Sequence, residues 1–224
     1  MSPTPARRAR LGSAKSRAAQ ILEQLGELYP HATCSLDWRT PYELLVATML
    51  SAQCTDERVN LVTPALFERF PDAPAAAAVE PEDIEPYVRS TGFFRNKAKA
   101  IVGSSRLLVE RHNGLVPRNM EELLELPGVA RKTASVVLAW CFGINAGVTV
   151  DTHVTRLSQR LGLSKGREPR QIEPDLMKLV SQDDWQNLSI RLIFHGRAVC
   201  KARKPDCHHC SIAELCTMGR RVTR

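Results

Sequence analysis

Near its C-terminal end the chain carries Cys200, Cys207, Cys210 and Cys216, four thiols in the spacing C-x6-C-x2-C-x5-C, and nothing else in it limits the possible folds so strongly. The remaining cysteines, Cys34, Cys54 and Cys141, are scattered through apolar or helical surroundings and read as packing residues. An odd total in a reducing compartment argues against a disulfide framework and for metal ligation by the clustered four. Four-thiolate sites serve both zinc and iron. Zinc ribbons usually show two C-x-x-C pairs, whereas this segment has one pair with unequal arms. That favours a [4Fe-4S] cluster and leaves a zinc knot as the alternative. Lys201, Arg203 and Lys204 fall in the first loop, so the metal centre would also scaffold a phosphate-binding loop; the competing reading is a charged loop facing solvent.

A chain of 224 residues can bury one large or two modest cores. Its net charge of +7 and pI near 9.2 favour a polyanionic partner, nucleic acid or an anionic membrane surface. Mean hydropathy is −0.22, and no apolar run approaches the roughly 20 residues that span a bilayer, so membrane insertion is not expected. The first dozen residues, with Arg7, Arg8 and Arg10, read as a solvated basic arm. No apolar segment or small-residue cleavage site follows it, and the protein is expected inside the cell.

From Ser13 onward the chain is a succession of helical patterns with almost no period-2 alternation, which predicts an all-α class. Ile21, Leu22, Leu25 and Leu28 form one stripe over 16–29. Thr40 before Pro41 opens a helix to about Ala52, and Thr55 caps one to about Phe70 that must absorb Pro64. Short helices are predicted over 74–79 and 81–89, and a longer one over 95–112. Asn119 with Glu122 resembles a capping box for a helix ending at Leu126. Helices over 130–140, 151–161, 169–180 and 183–198 follow.

Two of these junctions carry chemistry. Leu126, Pro127 and Gly128 make a tight turn that opens directly on a helix, where unpaired backbone N–H groups at the positive end of the dipole suit a phosphate. Gly128 lets the phosphate approach, and Arg131 and Lys132 follow at once; an ordinary helical corner is the plainer reading. The dipole and Arg131 both disfavour the ammonium form of Lys132, leaving part of it as a nucleophilic amine able to attack a sugar anomeric carbon. Asp151 ends the apolar run of 148–150 as an N-cap, and a capping carboxylate facing a cleft can also stabilise a cationic sugar or move protons.

Taken together, the Leu126-to-Ala134 hairpin, the Val150-Asp151-Thr152-His153 segment and the cysteine spacing resemble the endonuclease III family of base-excision DNA glycosylases, within the helix-hairpin-helix superfamily. The resemblance runs from about Ser16 to Cys216. It implies a catalytic lysine at Lys132, an essential aspartate at Asp151 and iron-sulfur ligands at Cys200, Cys207, Cys210 and Cys216. From the Leu-Ser-Ala-Gln segment it also implies a glutamine, Gln53, that fills the hole left by an extruded nucleotide. At Gly92-Phe93-Phe94, Phe93 replaces the family's wedging leucine, and it is either an aromatic wedge or a core residue. Ala130 stands where the family usually has a second glycine, which puts phosphate affinity at the hairpin in question.

The implied architecture is a six-helix domain over 36–147, a cluster domain formed by 13–35 with 148–224, and the arm 1–12. Lys132 and Asp151 would face each other across a cleft. The implied activity is removal of oxidised pyrimidines from double-stranded DNA, with cleavage of the abasic site through a lysine Schiff base. The expected protein is a monomer acting on damaged or abasic duplex DNA in the cytoplasm, at the nucleoid. Two rivals stand beside it. An adenine-mismatch relative generally lacks the lysine and carries an extra C-terminal domain, and a non-enzymatic iron-sulfur DNA-binding or redox module needs neither Lys132 nor Asp151.

Overall fold

The computed structural model describes residues 11–223, so most of the basic arm, residues 1–10, lies outside the described residues. The described chain is helical throughout, with no β-strand among those residues. Residues Thr33–Ala146 form one compact unit, and the described residues up to Ala32 join those from Gly147 onward in a second.

The Thr33–Ala146 unit contains α2 (Pro41–Leu50), α3 (Asp56–Arg69), α4 (Ala73–Ala77), α5 (Pro81–Val88), a 3-10 turn (Arg89–Thr91), α6 (Phe94–His112), α7 (Met120–Glu125) and α8 (Arg131–Phe142). The short helix expected over 74–79 is found at Ala73–Ala77 and closes under its own Asp72 cap, whose carboxylate accepts the Ala75 N–H. Every residue of α2 from Tyr42 to Leu50 is buried, the behaviour of a helix with no solvent face. Thr40 caps it as the Thr-Pro pair predicts, and the Glu43 carboxylate turns back to accept the Arg39 N–H at 2.7 Å. α3 runs unbroken through Pro64. At α7 only one half of a capping box is seen, the Asn119 Oδ1 accepting the Glu122 N–H. Cys34, Cys54 and Cys141 pack against this unit's core, and burial pushes the Cys141 thiol up to about 11, with Cys34 adding to the shift.

The second unit holds α1 (Ala14–Leu28), α9 (Thr152–Leu161), α10 (Pro169–Met177), a 3-10 turn (Gln182–Asp184), α11 (Trp185–Ala198), another 3-10 turn (Ala213–Leu215) and α12 (Gly219–Val222). The α1 stripe is shifted from the expected one. Leu28 is exposed, and Arg17 takes a buried place beside Ala18, Ile21, Leu22 and Leu25. Its guanidinium donates to the carbonyls of Leu161 and Gly162, where α9 ends, and to those of Leu215 and Gly12. Terminal helix carbonyls need such donors, and a cation at that end also opposes the dipole. Removing the donors strands several acceptors at once. Arg17→Met is therefore expected to cost about 3–5 kcal/mol. Thermal unfolding followed by circular dichroism should show a midpoint lower by roughly 10 °C.

Candidate active site and cluster centre

The hairpin is built from turn chemistry. Val129 N–H donates to Leu126 O at 3.1 Å, closing a four-residue turn with Pro127 and Gly128 at its centre. Gly128 has φ of +77°, the third-position conformation of a type II turn, so glycine is required there. A side chain would also collide with Ala100, since an added Cβ would lie 2.7 Å from the alanine methyl. Pro127 packs on Gly103, and its carbonyl accepts the Ser104 hydroxyl at 2.6 Å. These contacts seat the turn on α6, while Met49 brings the end of α2 against Gly128.

Ala130 is the N-cap of α8 rather than its first helical residue, with φ of −93° and ψ of 166°. Nothing in that conformation calls for glycine, so the alanine is accommodated without strain. It provides no side-chain cap, which suits the first amides of α8 to an external anion. Arg131 and Lys132 occupy the first two helical positions and both are exposed.

Gln53 and Phe93 share an unusual backbone. Their φ values are +54° and +48°, a left-handed conformation that costs a non-glycine residue on the order of 1–2 kcal/mol. Both are exposed; Phe93 retains 63% of its accessible surface, which removes the core reading for this ring. Phe94 is the aromatic of the pair that packs against the core, with Arg89 and Arg95 over its ring.

Asp151 lies in the other unit. Its Oδ1 accepts the Val154 N–H at 2.8 Å, the N-cap expected from the sequence, and the residue is half-buried. Beside it, the Arg156 guanidinium donates to His153 Nδ1 at 3.1 Å, and burial holds the imidazole below its ordinary range, so His153 is neutral near pH 7.

The same unit gathers Cys200, Cys207, Cys210 and Cys216 around one cavity, whose wall also includes Leu157, Ile212 and Met218. Among the described residues, no group of three or more His, Cys, Asp or Glu side chains is arranged tightly enough to hold a single ion. The sulfurs nevertheless have polar partners suited to bound thiolates. Arg160 donates to Cys200 Sγ at 3.3 Å, the Gly219 N–H to Cys216 Sγ at 3.2 Å, and His195 Nε2 lies 3.4 Å from Cys210 Sγ. Tyr29 Oη meets the other nitrogen of His195 at 3.1 Å. Burial pushes the Cys210 thiol up to about 11, so metal loading there displaces a proton. Arg160 also donates to the carbonyls of Lys201 and Ala202, shaping the loop on which Arg203 and Lys204 stand exposed. Arg160 and His195 escaped the sequence reading. The visible signal for Arg160 was its position four residues after Arg156 on one helix; His195 carried none.

Comparison with known proteins agrees with this geometry. Residues 46–182 match the family model of the HhH-GPD superfamily of base excision DNA repair proteins. Residues 200–216 match the iron-sulfur binding domain of endonuclease III. Endonuclease III of a Synechocystis strain is 65% identical over 207 residues, covering 92% of this chain and 94% of that protein. Two solved structures, a trapped endonuclease III–DNA covalent intermediate and a non-covalent endonuclease III–DNA complex, each superpose with a TM-score of 0.88 at 42% identity. Both comparisons cover 94% of this chain, with 99% and 98% of the respective solved chains. Fold and hairpin thus define a helix-hairpin-helix base excision repair protein. Within that class the chain belongs to the endonuclease III family.

Proposed function

We propose that this chain is a bifunctional DNA glycosylase and abasic-site lyase that removes oxidised pyrimidines from double-stranded DNA, with Lys132 as nucleophile. The observation that carries the reading is an exposed lysine at the second position of α8, directly behind the Gly128 turn and a helix end without a side-chain cap. A phosphate on those amides fixes the backbone beside the lysine amine. Lys132 Nζ attacks the anomeric carbon, the glycosidic bond breaks, and its electron pair leaves with the base, which takes up a proton. The nitrogen then loses one proton, and the sugar ring opens as the bond from the anomeric carbon to the ring oxygen breaks; that oxygen takes up a proton and becomes a hydroxyl, leaving an iminium that keeps one N–H. Removing a proton from the adjacent carbon then expels the 3′ phosphate. Asp151 supplies the carboxylate that stabilises cationic sugar character or relays protons. Gln53 fills the space vacated by the lesion, and Phe93 stacks on the estranged base, an interaction worth about 1–3 kcal/mol. Arg131, Arg203 and Lys204 contact phosphates.

For the cofactor, the donor set supports a [4Fe-4S] cluster held by Cys200, Cys207, Cys210 and Cys216: the four cysteines line one cavity, and hydrogen-bond donors are directed at the Cys200 and Cys216 sulfurs. When bound, the cluster braces the loop bearing Arg203 and Lys204. Cys207→Ser or Cys210→Ser is expected to lose most of the iron and of the soluble yield, while Cys141→Ser keeps both. Iron analysis and the visible absorption spectrum check this, and a colourless zinc protein would refute it. The working form is proposed to be a monomer on intracellular duplex DNA. The test of the function is a panel of duplexes with single lesions, scored separately for base release and strand cleavage. Activity on oxidised pyrimidines with coupled cleavage is expected, and binding without base release would overturn the reading.

A further inference from the structure

We propose that Lys97 is a positioning residue that locks the Gln53 and Phe93 loops to each other, so that both enter the DNA as one rigid unit. This rests on the assignment of Gln53 and Phe93 as the residues that enter the duplex. Lys97 retains only 7% of its accessible surface. It stands in the first turn of α6, on the same stripe as Ala98, Ile101 and Val102, where the helical pattern calls for an apolar side chain.

Its ammonium donates to two carbonyls, Leu50 O and Thr91 O, each at 2.8 Å. Leu50 is the last residue of α2, and Gln53 follows three positions later. Thr91 ends the 3-10 turn, and Phe93 follows two positions later. A single side chain thus holds the base of both exposed loops. The Lys97 backbone N–H adds a further tie to Phe93 O at 3.1 Å.

Satisfying the buried C-terminal end of α2 would account for one of these bonds but not for the pair. Both loops carry a strained, left-handed residue that faces solvent, and such conformations persist only where their surroundings hold them. Burial lowers the pKa of Lys97 while neighbouring Cys54 acts against that shift, as expected for a charge set among carbonyls rather than in water. The chemistry of Lys132 does not need this clamp. Opening the duplex and filling the vacated space does.

The test uses Lys97→Met, which keeps the apolar stem and removes the donors, and Lys97→Gln as a second variant. Single-turnover base release from a lesion-containing duplex is expected to fall about 10- to 100-fold, the scale of small misplacements in a reacting complex. Cleavage of a preformed abasic site in single-stranded DNA should stay within about twofold, because no base is extruded there and Lys132 is untouched. Equal losses in both assays would show a general structural defect and overturn the proposal. In a Gln53→Ala, Phe93→Ala background, Lys97→Met should add little further loss; full additivity would overturn the clamp while leaving the loop assignment intact. If the Gln53→Ala, Phe93→Ala protein excised at the wild-type rate, the loop assignment itself would fall. Hydrogen exchange on the wild-type protein provides a check that needs no variant: amides of 51–54 and 91–93 are expected to open together, and independent opening would overturn the clamp.

Discussion

Lys132→Ala is expected to give no protein–DNA adduct on borohydride reduction during turnover, and to lose abasic-site cleavage by on the order of 10³- to 10⁶-fold, the scale of losing a nucleophile. Such a loss would report chemistry and not stability. Lys132 is exposed at the start of α8, and surface substitutions of that kind change stability by about 0.5 kcal/mol or less. The turn that precedes it is held by the contacts of Gly128, Pro127 and Ser104 with one another and with α6. The adduct is measured by gel after reduction, and cleavage by strand scission of a duplex with a single abasic site. Persistence of the adduct at wild-type yield would place the nucleophile elsewhere.

Asp151→Asn is the second large effect. Asparagine preserves an oxygen to accept the Val154 N–H, so the cap of α9 should change by only a few tenths to about 1 kcal/mol. Base excision from an intact damaged nucleotide should nevertheless fall about 100- to 10,000-fold, because the negative charge and any proton relay are lost together. A preformed abasic site already exposes an aldehyde to Lys132 and should be cleaved with a smaller deficit. The ratio of the two deficits is therefore the informative quantity. Wild-type base release by Asp151→Asn would refute the catalytic role. Asp151→Ala separates the remaining contribution, since it removes the cap as well, at about 1 kcal/mol of helix stability.

Much of this was legible in the sequence because the relevant signals are short-range. Pro127-Gly128 writes its own turn and Thr40-Pro41 its own helix start, and the closely spaced cysteines come to line one cavity. Helix ends fell within a few residues of the observed ones for the same reason. What was missed depends on partners far away in the chain. Arg17 occupies the apolar stripe of α1 because the end of α9 needs donors, and nothing near residue 17 announces the carbonyls of Leu161 and Leu215. Arg160 and His195 are similarly defined by sulfurs 40 and 15 residues distant in sequence. Phe93 illustrates a different limit: adjacent phenylalanines are equivalent to a hydropathy pattern, and only the left-handed backbone at 93 turns one outward while Phe94 packs inward. The short α12 and the Ala213–Leu215 turn carry too few residues to establish a period.

The ten residues of α9 span about 15 Å at the rise of an α-helix. Its leading end sets the Asp151 carboxylate, and its trailing end carries Arg160, which grips both the Cys200 sulfur and the backbone of the basic loop. The helix is thus a ruler with a chemical group at one mark and an anchoring device at the other. Any change that winds it by a single residue would rotate one mark about 100° relative to the other. Under the proposed function, a phosphate held at the basic loop and a sugar approached by the carboxylate would then no longer fall in register on one DNA strand. With Asp151 and the basic loop acting as proposed, the spacing between them is stored in helix length, and mutations that alter that length should be far less tolerated than mutations that alter its exposed side chains.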